Sequence, residues 1–65
     1  MTLLQISLKA ARVNADLSQE DVERETGISR RTIIRWENGE SFPSENKLIV
    51  LCKLYGILPE NIKRK

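Results

Sequence analysis

Residues Ser18–Gly39 read SQEDVERETGISRRTIIRWENG, and the punctuation of this stretch predicts two short helices joined by a tight turn. Ser18 is a good N-cap, and Asp21 three residues on completes a capping box. Gly27 falls where the chain needs a left-handed residue to end that helix. Ser29 then caps a second helix, which Asn38 and Gly39 stop. At roughly 100° per residue, Ser29, Ile33, Trp36 and Glu37 fall on one third of the second helix's circumference, the arc expected to face a core. Arg30, Arg31, Ile34, Arg35 and Asn38 fall on the opposite arc. Arginine is the side chain best shaped to read guanine O6 and N7 and to grip phosphate. An outward isoleucine is odd in water and less odd against thymine methyl groups.

Helix, glycine turn, capped helix is the layout of a DNA-binding helix-turn-helix. Residues 18–39 resemble that motif in the phage repressor/Cro-type family, also called XRE. The segment Ser29–Gly39, SRRTIIRWENG, is similar to the family's recognition helix, including its Trp-Glu-Asn-Gly ending. The similarity runs from about Leu4 to Ile62. It implies an all-α fold, a compact lambda repressor-like bundle of five short helices, and a single domain over residues 1–65. It also implies a sequence-specific transcriptional regulator that places residues 29–38 in the major groove and binds a two-fold operator as a homodimer. Double-stranded DNA is the partner so implied. Arg30, Arg31, Ile34 and Arg35 are the candidate base readers. Ser18 and Gln19, at a helix N-terminus whose free N–H groups attract anions, are candidate phosphate contacts, with Thr32 and Asn38 at the groove margins. In the family, a helix-one arginine, here Arg12, pairs with the recognition-helix glutamate, here Glu37; the plain alternative is a surface arginine. Two positions depart from the family pattern. Glu23 stands where alanine is usual, and is expected to angle outward toward Arg31. Thr26 replaces an aliphatic residue.

The flanking segments complete the bundle. The first helix is expected over residues 3–15 with Thr2 as N-cap, burying a stripe of Leu4, Leu8, Ala11 and Ala15. Asn14 and Asp16 suit its end, and Leu17 tucks under the next cap. After Gly39, Phe42 is expected to plug the core. Ser44 caps a fourth helix to about Tyr55 with an inward stripe of Leu48, Leu51, Cys52 and Tyr55; Ile49 and Val50 broaden it, and Gly56 ends it. Pro59 suits the first position of a short fifth helix, Pro59–Ile62. Ile57, Leu58 and Ile62 suit either the core or a partner surface, and the sequence does not choose. The basic tail 63–65 reads first as a solvated end, with a phosphate contact as the sharper alternative.

Composition narrows the function. With 65 residues the chain is one small domain, whose core is marginal unless its helices pack well or it dimerises. One cysteine excludes an internal disulfide, and the absence of histidine leaves no zinc-site spacing. No metal, cofactor or small-molecule ligand is expected. Without a signal-peptide pattern or a long apolar run, no membrane is expected either, and the simplest compartment is a reducing cytoplasm. The net charge of +2 proves nothing alone, but its distribution is telling. Residues 20–25 are dominated by Glu20, Asp21, Glu23 and Glu25, whereas residues 30–35 carry three arginines and no acid. A protein-binding module of the same fold, an antitoxin or antirepressor, is the alternative that Glu23 and the outward Ile34 favour. An enzyme is the poorest reading, since no histidine base, metal cluster or phosphate loop is present.

Overall fold

The computed structural model describes residues 4–64. Its elements are α1 (Leu8–Asn14), α2 (Gln19–Thr26), α3 (Arg30–Glu37), α4 (Glu45–Tyr55) and a single 3-10 turn, Pro59–Asn61. Among the described residues there is no strand, only an isolated parallel bridge between Ile6 and Ile62. The fold is therefore all-α with four α-helices, and the expected fifth is one 3-10 turn.

Each helix begins on a serine. The hydroxyls of Ser7, Ser18, Ser29 and Ser44 accept the N–H groups of Ala10, Asp21, Thr32 and Lys47, relieving donors that have no partner within the helix. At Ser18 the capping box is reciprocal, with the Asp21 carboxylate accepting the Ser18 N–H at 2.9 Å. Hydrogen bonds from Ser18 and Arg24 hold the Asp21 carboxyl below the usual carboxylate range. Gly27 closes α2 at φ +78°, and a Cβ there would meet nothing within 4 Å, so the backbone angle alone demands glycine. Asp16 makes the corresponding left-handed step after α1 at φ +60°. The Asp16 and Leu17 N–H groups donate to the Val13 and Arg12 carbonyls, a Schellman ending.

The core comprises Leu8, Ala11, Val22, Ile33, Leu48, Leu51, Cys52, Tyr55 and Ile62. The α4 stripe is the one its spacing predicts, while Ile49 and Val50 are exposed. Phe42 packs half-buried against the core, beside a buried Pro43. Burial pushes the Cys52 thiol up, which leaves it a packing residue.

Two expectations about the ends are corrected. The first helix starts at Leu8, and Leu4 is 77% exposed instead of lying in its stripe. The Thr2 cap lies outside the described residues. The reason is a clamp between the two ends. The Ile6 N–H donates to the Asn61 carbonyl at 2.9 Å, and the Lys63 N–H donates to the Ile6 carbonyl at 2.8 Å. The Gln5 and Asn61 amides add bonds to the Glu60 and Leu4 carbonyls. Non-helical backbone over residues 4–6, with Ile6 in the bridge, satisfies these groups, and a helix there would not. Ile62 is drawn out of the 3-10 turn into extended geometry for the same reason, and its side chain is fully buried. Ile57 packs half-buried against the core, and Leu58 remains 59% exposed.

Truncating these two side chains separates their roles. Ile62→Ala is expected to lower unfolding stability by about 2–5 kcal/mol and Leu58→Ala by no more than about 0.5 kcal/mol, read from urea denaturation midpoints. Comparable effects would contradict the placement of Ile62 in the core.

Candidate nucleic-acid interface

The outward face of α3 is positioned by what holds its inner face. The Glu37 side chain is 4% exposed and meets Arg12, 11% exposed, through Nε–Oε2 at 2.7 Å and Nη2–Oε1 at 3.2 Å. Arg12 also donates through Nη1 to the Leu17 carbonyl at 2.8 Å. The Gln19 amide donates to Glu37 Oε1 at 3.0 Å. One carboxylate therefore ties α1, α2 and α3 together. Its hydrogen bond raises the Arg12 pKa despite the opposing effect of burial. Among the described residues no buried side-chain nitrogen or oxygen lacks a partner. Burial, reinforced by the nearby Glu37 charge, pushes the Tyr55 phenol up to about 12.

A second set of contacts fixes the start of α3. Glu23 does not turn to Arg31. Its Oε2 accepts the Arg30 backbone N–H at 3.0 Å, because the first turn of α3 leaves donors free and favours an anion there. The residue that departs from alanine thus becomes an extra cap. Thr26 has an equally local role, donating its hydroxyl to the Val22 carbonyl and accepting the Ile28 N–H, which stiffens the turn.

On the outward face Arg30, Arg31, Arg35 and Asn38 follow the phase count and are exposed, whereas Ile34 is half-buried. Ile34 shares an open cleft with Glu23, Ser29, Arg30 and Arg31, which shields part of it from water. Thr32 is half-buried and turns back to its cap, its Oγ1 lying 2.9 Å from Ser29 Oγ. Arg30 lies 3.9 Å from Glu20 and also lines a second cleft with Lys9, Ser18, Gln19 and Arg12. Among the described residues, no carboxylate pairs with Arg31 or Arg35. The structure therefore brings Ser18, Gln19 and Arg30 together at one end of α3 and Arg31 and Ile34 along its flank. Asn38 caps the far end. Sequence reasoning missed Lys9, although its i,i+3 spacing from Arg12 places it on the same side of α1. It also missed the Gln19–Glu37 bond, for which no pattern in the sequence is diagnostic.

A glycine-turned helix pair whose second helix is buried on one face and arginine-rich on the other defines a helix-turn-helix domain. The chain belongs to the helix-turn-helix family of the XRE type, whose profile matches residues 8–61. It is 38% identical over 55 residues to an HTH-type transcriptional regulator of Methanocaldococcus jannaschii, itself uncharacterized, covering 85% of this chain and 83% of that protein. It is also 35% identical over 66 residues to the type II methyltransferase M1.ScrFI of Lactococcus lactis subsp. cremoris, covering 95% of this chain but 17% of the methyltransferase. No solved structure is matched by the chain. Among the described residues, no helix is long and apolar enough to cross a membrane.

The buried pair makes two tests possible. Arg12→Ala and Glu37→Ala are each expected to destabilise the domain by roughly 3–5 kcal/mol, and the double variant by clearly less than their sum. Additive effects in a double-mutant cycle would remove the coupling. Tyr55 is the single tyrosine, so tyrosinate absorbance reports it alone, with an expected midpoint near 12. Folding favours its neutral phenol, so the associated stability is present below the ordinary value of 10.0 and is lost as pH rises to about 12. A midpoint at the ordinary value would contradict the burial of the ring.

Proposed function

We propose that this domain is a sequence-specific DNA-binding transcriptional regulator that lays α3 in the major groove and binds a two-fold operator as a homodimer. The observation that carries the proposal is the exposed arginine face of α3, backed by the buried Arg12–Glu37–Gln19 network. Base readout needs side chains held in a fixed frame, and that network fixes the frame. Arg31 and Arg35 are the free readers. Arg30 reads bases or, from its position beside Ser18 and Gln19, grips the adjoining phosphate. Ile34 offers its exposed part to a thymine methyl group. A carboxamide carries two N–H donors, so Gln19 can hold Glu37 and still donate to a phosphate. Ser18 and Asn38 stand at the two margins of the groove, and Thr32, turned toward its cap, supplies a phosphate contact only after its hydroxyl rotates.

The likeness to a protein named as a transcriptional regulator, of which the chain covers 83%, supports regulation over catalysis. The methyltransferase match covers 17% of that protein and brings no catalytic activity to this chain. The two features favouring a protein-binding module have local explanations, since Glu23 caps α3 and Ile34 is partly covered. DNA affinity that falls steeply with salt supports the DNA reading, whereas an apolar protein interface would be nearly insensitive to it.

Selection from a random duplex library is expected to enrich an inverted repeat with half-sites about 34 Å apart. Arg31→Ala should then reduce discrimination between operator and unrelated duplex by about 1–3 kcal/mol in a binding titration. Lys53→Ala, on exposed α4 surface, should leave it unchanged. No enrichment, or equal effects from both substitutions, would overturn the assignment of α3 as the reading helix.

A further inference from the structure

Lys63 and Arg64 are both tied to the body of the domain. The Lys63 N–H is bonded to Ile6, and the Arg64 guanidinium lies 5.5 Å from the centroid of the Phe42 ring, a cation–π contact. Arg64 also lies 3.4 Å from Glu45, with both side chains more than half exposed. Lys63 and Arg64 line an open cleft with Phe42, Ser41, Gly39 and Trp36. That cleft starts where α3 ends. At the opposite end of α3 lies the cleft of Lys9, Ser18, Gln19 and Arg30. Two clefts in which basic side chains outnumber a single glutamate, Glu37 in the first and Glu20 in the second, thus bracket a helix of eight residues, about 12 Å long, and a major groove is about 12 Å wide between its phosphate walls.

We propose that Lys63 and Arg64, seated on Phe42 at the C-terminal end of α3, form a second DNA-phosphate site that grips the backbone wall opposite the one met by the start of α2. The inference rests on the reading of α3 as a groove-binding helix. Glu37 in the lining of the Lys63–Arg64 cleft and Glu45 beside Arg64 do not cancel its charge. Glu37 is already held by Arg12 and Gln19, and Glu45 forms an exposed pair of the kind that contributes little and exchanges readily for a phosphate oxygen. Phe42 keeps the guanidinium extended over its ring, which reduces the ordering needed on binding. Backbone contacts of this type add affinity without reading sequence.

The test measures binding of the full chain to its selected operator and to an unrelated duplex over a series of salt concentrations. For the double variant Lys63→Gln/Arg64→Gln, the slope of log affinity against log salt should fall in magnitude by roughly 2, since each neutralised phosphate contributes about 0.9. The ratio of operator to unrelated affinity should stay at the wild-type value. Arg64→Lys should keep the wild-type slope, because it keeps the charge. Should the double variant melt below the assay temperature, Lys63→Gln alone should reduce the slope by roughly 1. An unchanged slope overturns the proposal, as does a changed operator preference, which would make the segment a base reader. In either case wild-type operator selection and its sensitivity to Arg31→Ala would survive. Failure of the wild-type chain to bind any duplex would instead overturn the proposed function and this site with it.

Discussion

Everything on the outer surface of α3 depends on one buried carboxylate. Glu37 accepts from Arg12 on α1 and Gln19 on α2, and Arg12 reaches on to the carbonyl of Leu17 between them. A buried pair of this kind adds little net stability compared with an apolar replacement, because both charges must leave water. Its value lies in direction. A hydrophobic contact between α1 and α3 would tolerate rotation of α3 about its axis, whereas a bidentate guanidinium–carboxylate pair does not. The angle at which Arg31 and Arg35 leave the surface is therefore set on the opposite side of the helix.

The start of α3 is fixed by different means. Ser29 takes the Thr32 N–H, Glu23 takes the Arg30 N–H, and Thr26 stiffens the preceding turn. Alanine, the usual residue at the Glu23 position, permits close helix packing but supplies no acceptor. Here the carboxylate supplies one and adds a negative charge at the positive end of the α3 dipole. The same charge sits at the start of α3, where it reduces the indiscriminate attraction of a basic helix for any phosphate.

Much of this is legible in the sequence because it is periodic or locally chemical. The serine caps of α2, α3 and α4, the glycine after α2, the α4 stripe and the inward Ile33, Trp36 and Glu37 all follow from spacing and turn chemistry. The Arg12–Glu37 pair is legible only through resemblance, since no local rule joins residues 25 positions apart. The failures share one cause. Spacing puts Leu4 on a helical stripe and leaves Ile62 between core and partner surface, because the fate of both is set by a pairing between the two ends of the chain. That pairing has no signature in either segment alone. At the interface, spacing aims Glu23 at Arg31, whereas side-chain reach to a backbone N–H is decided by the angle between two helices. Arg64 reads as solvated because its partner, Phe42, lies on a loop far back along the chain.

The pairing of Ile6 with Ile62 also bears on how the domain forms. Each helix and the α2–α3 turn can assemble from contacts close in sequence, but the bridge closes a loop spanning most of the described chain and must overcome the entropy of that closure. Packing of α1 on α4 closes most of the same span, so the bridge adds its hydrogen bonds to a closure the core already makes. Interactions absent from the folding transition state act on the unfolding rate alone. If Ile62 and the hydrogen bonds around it form only after that state, they act as a latch that sets the lifetime of the folded domain and leaves its refolding rate unchanged.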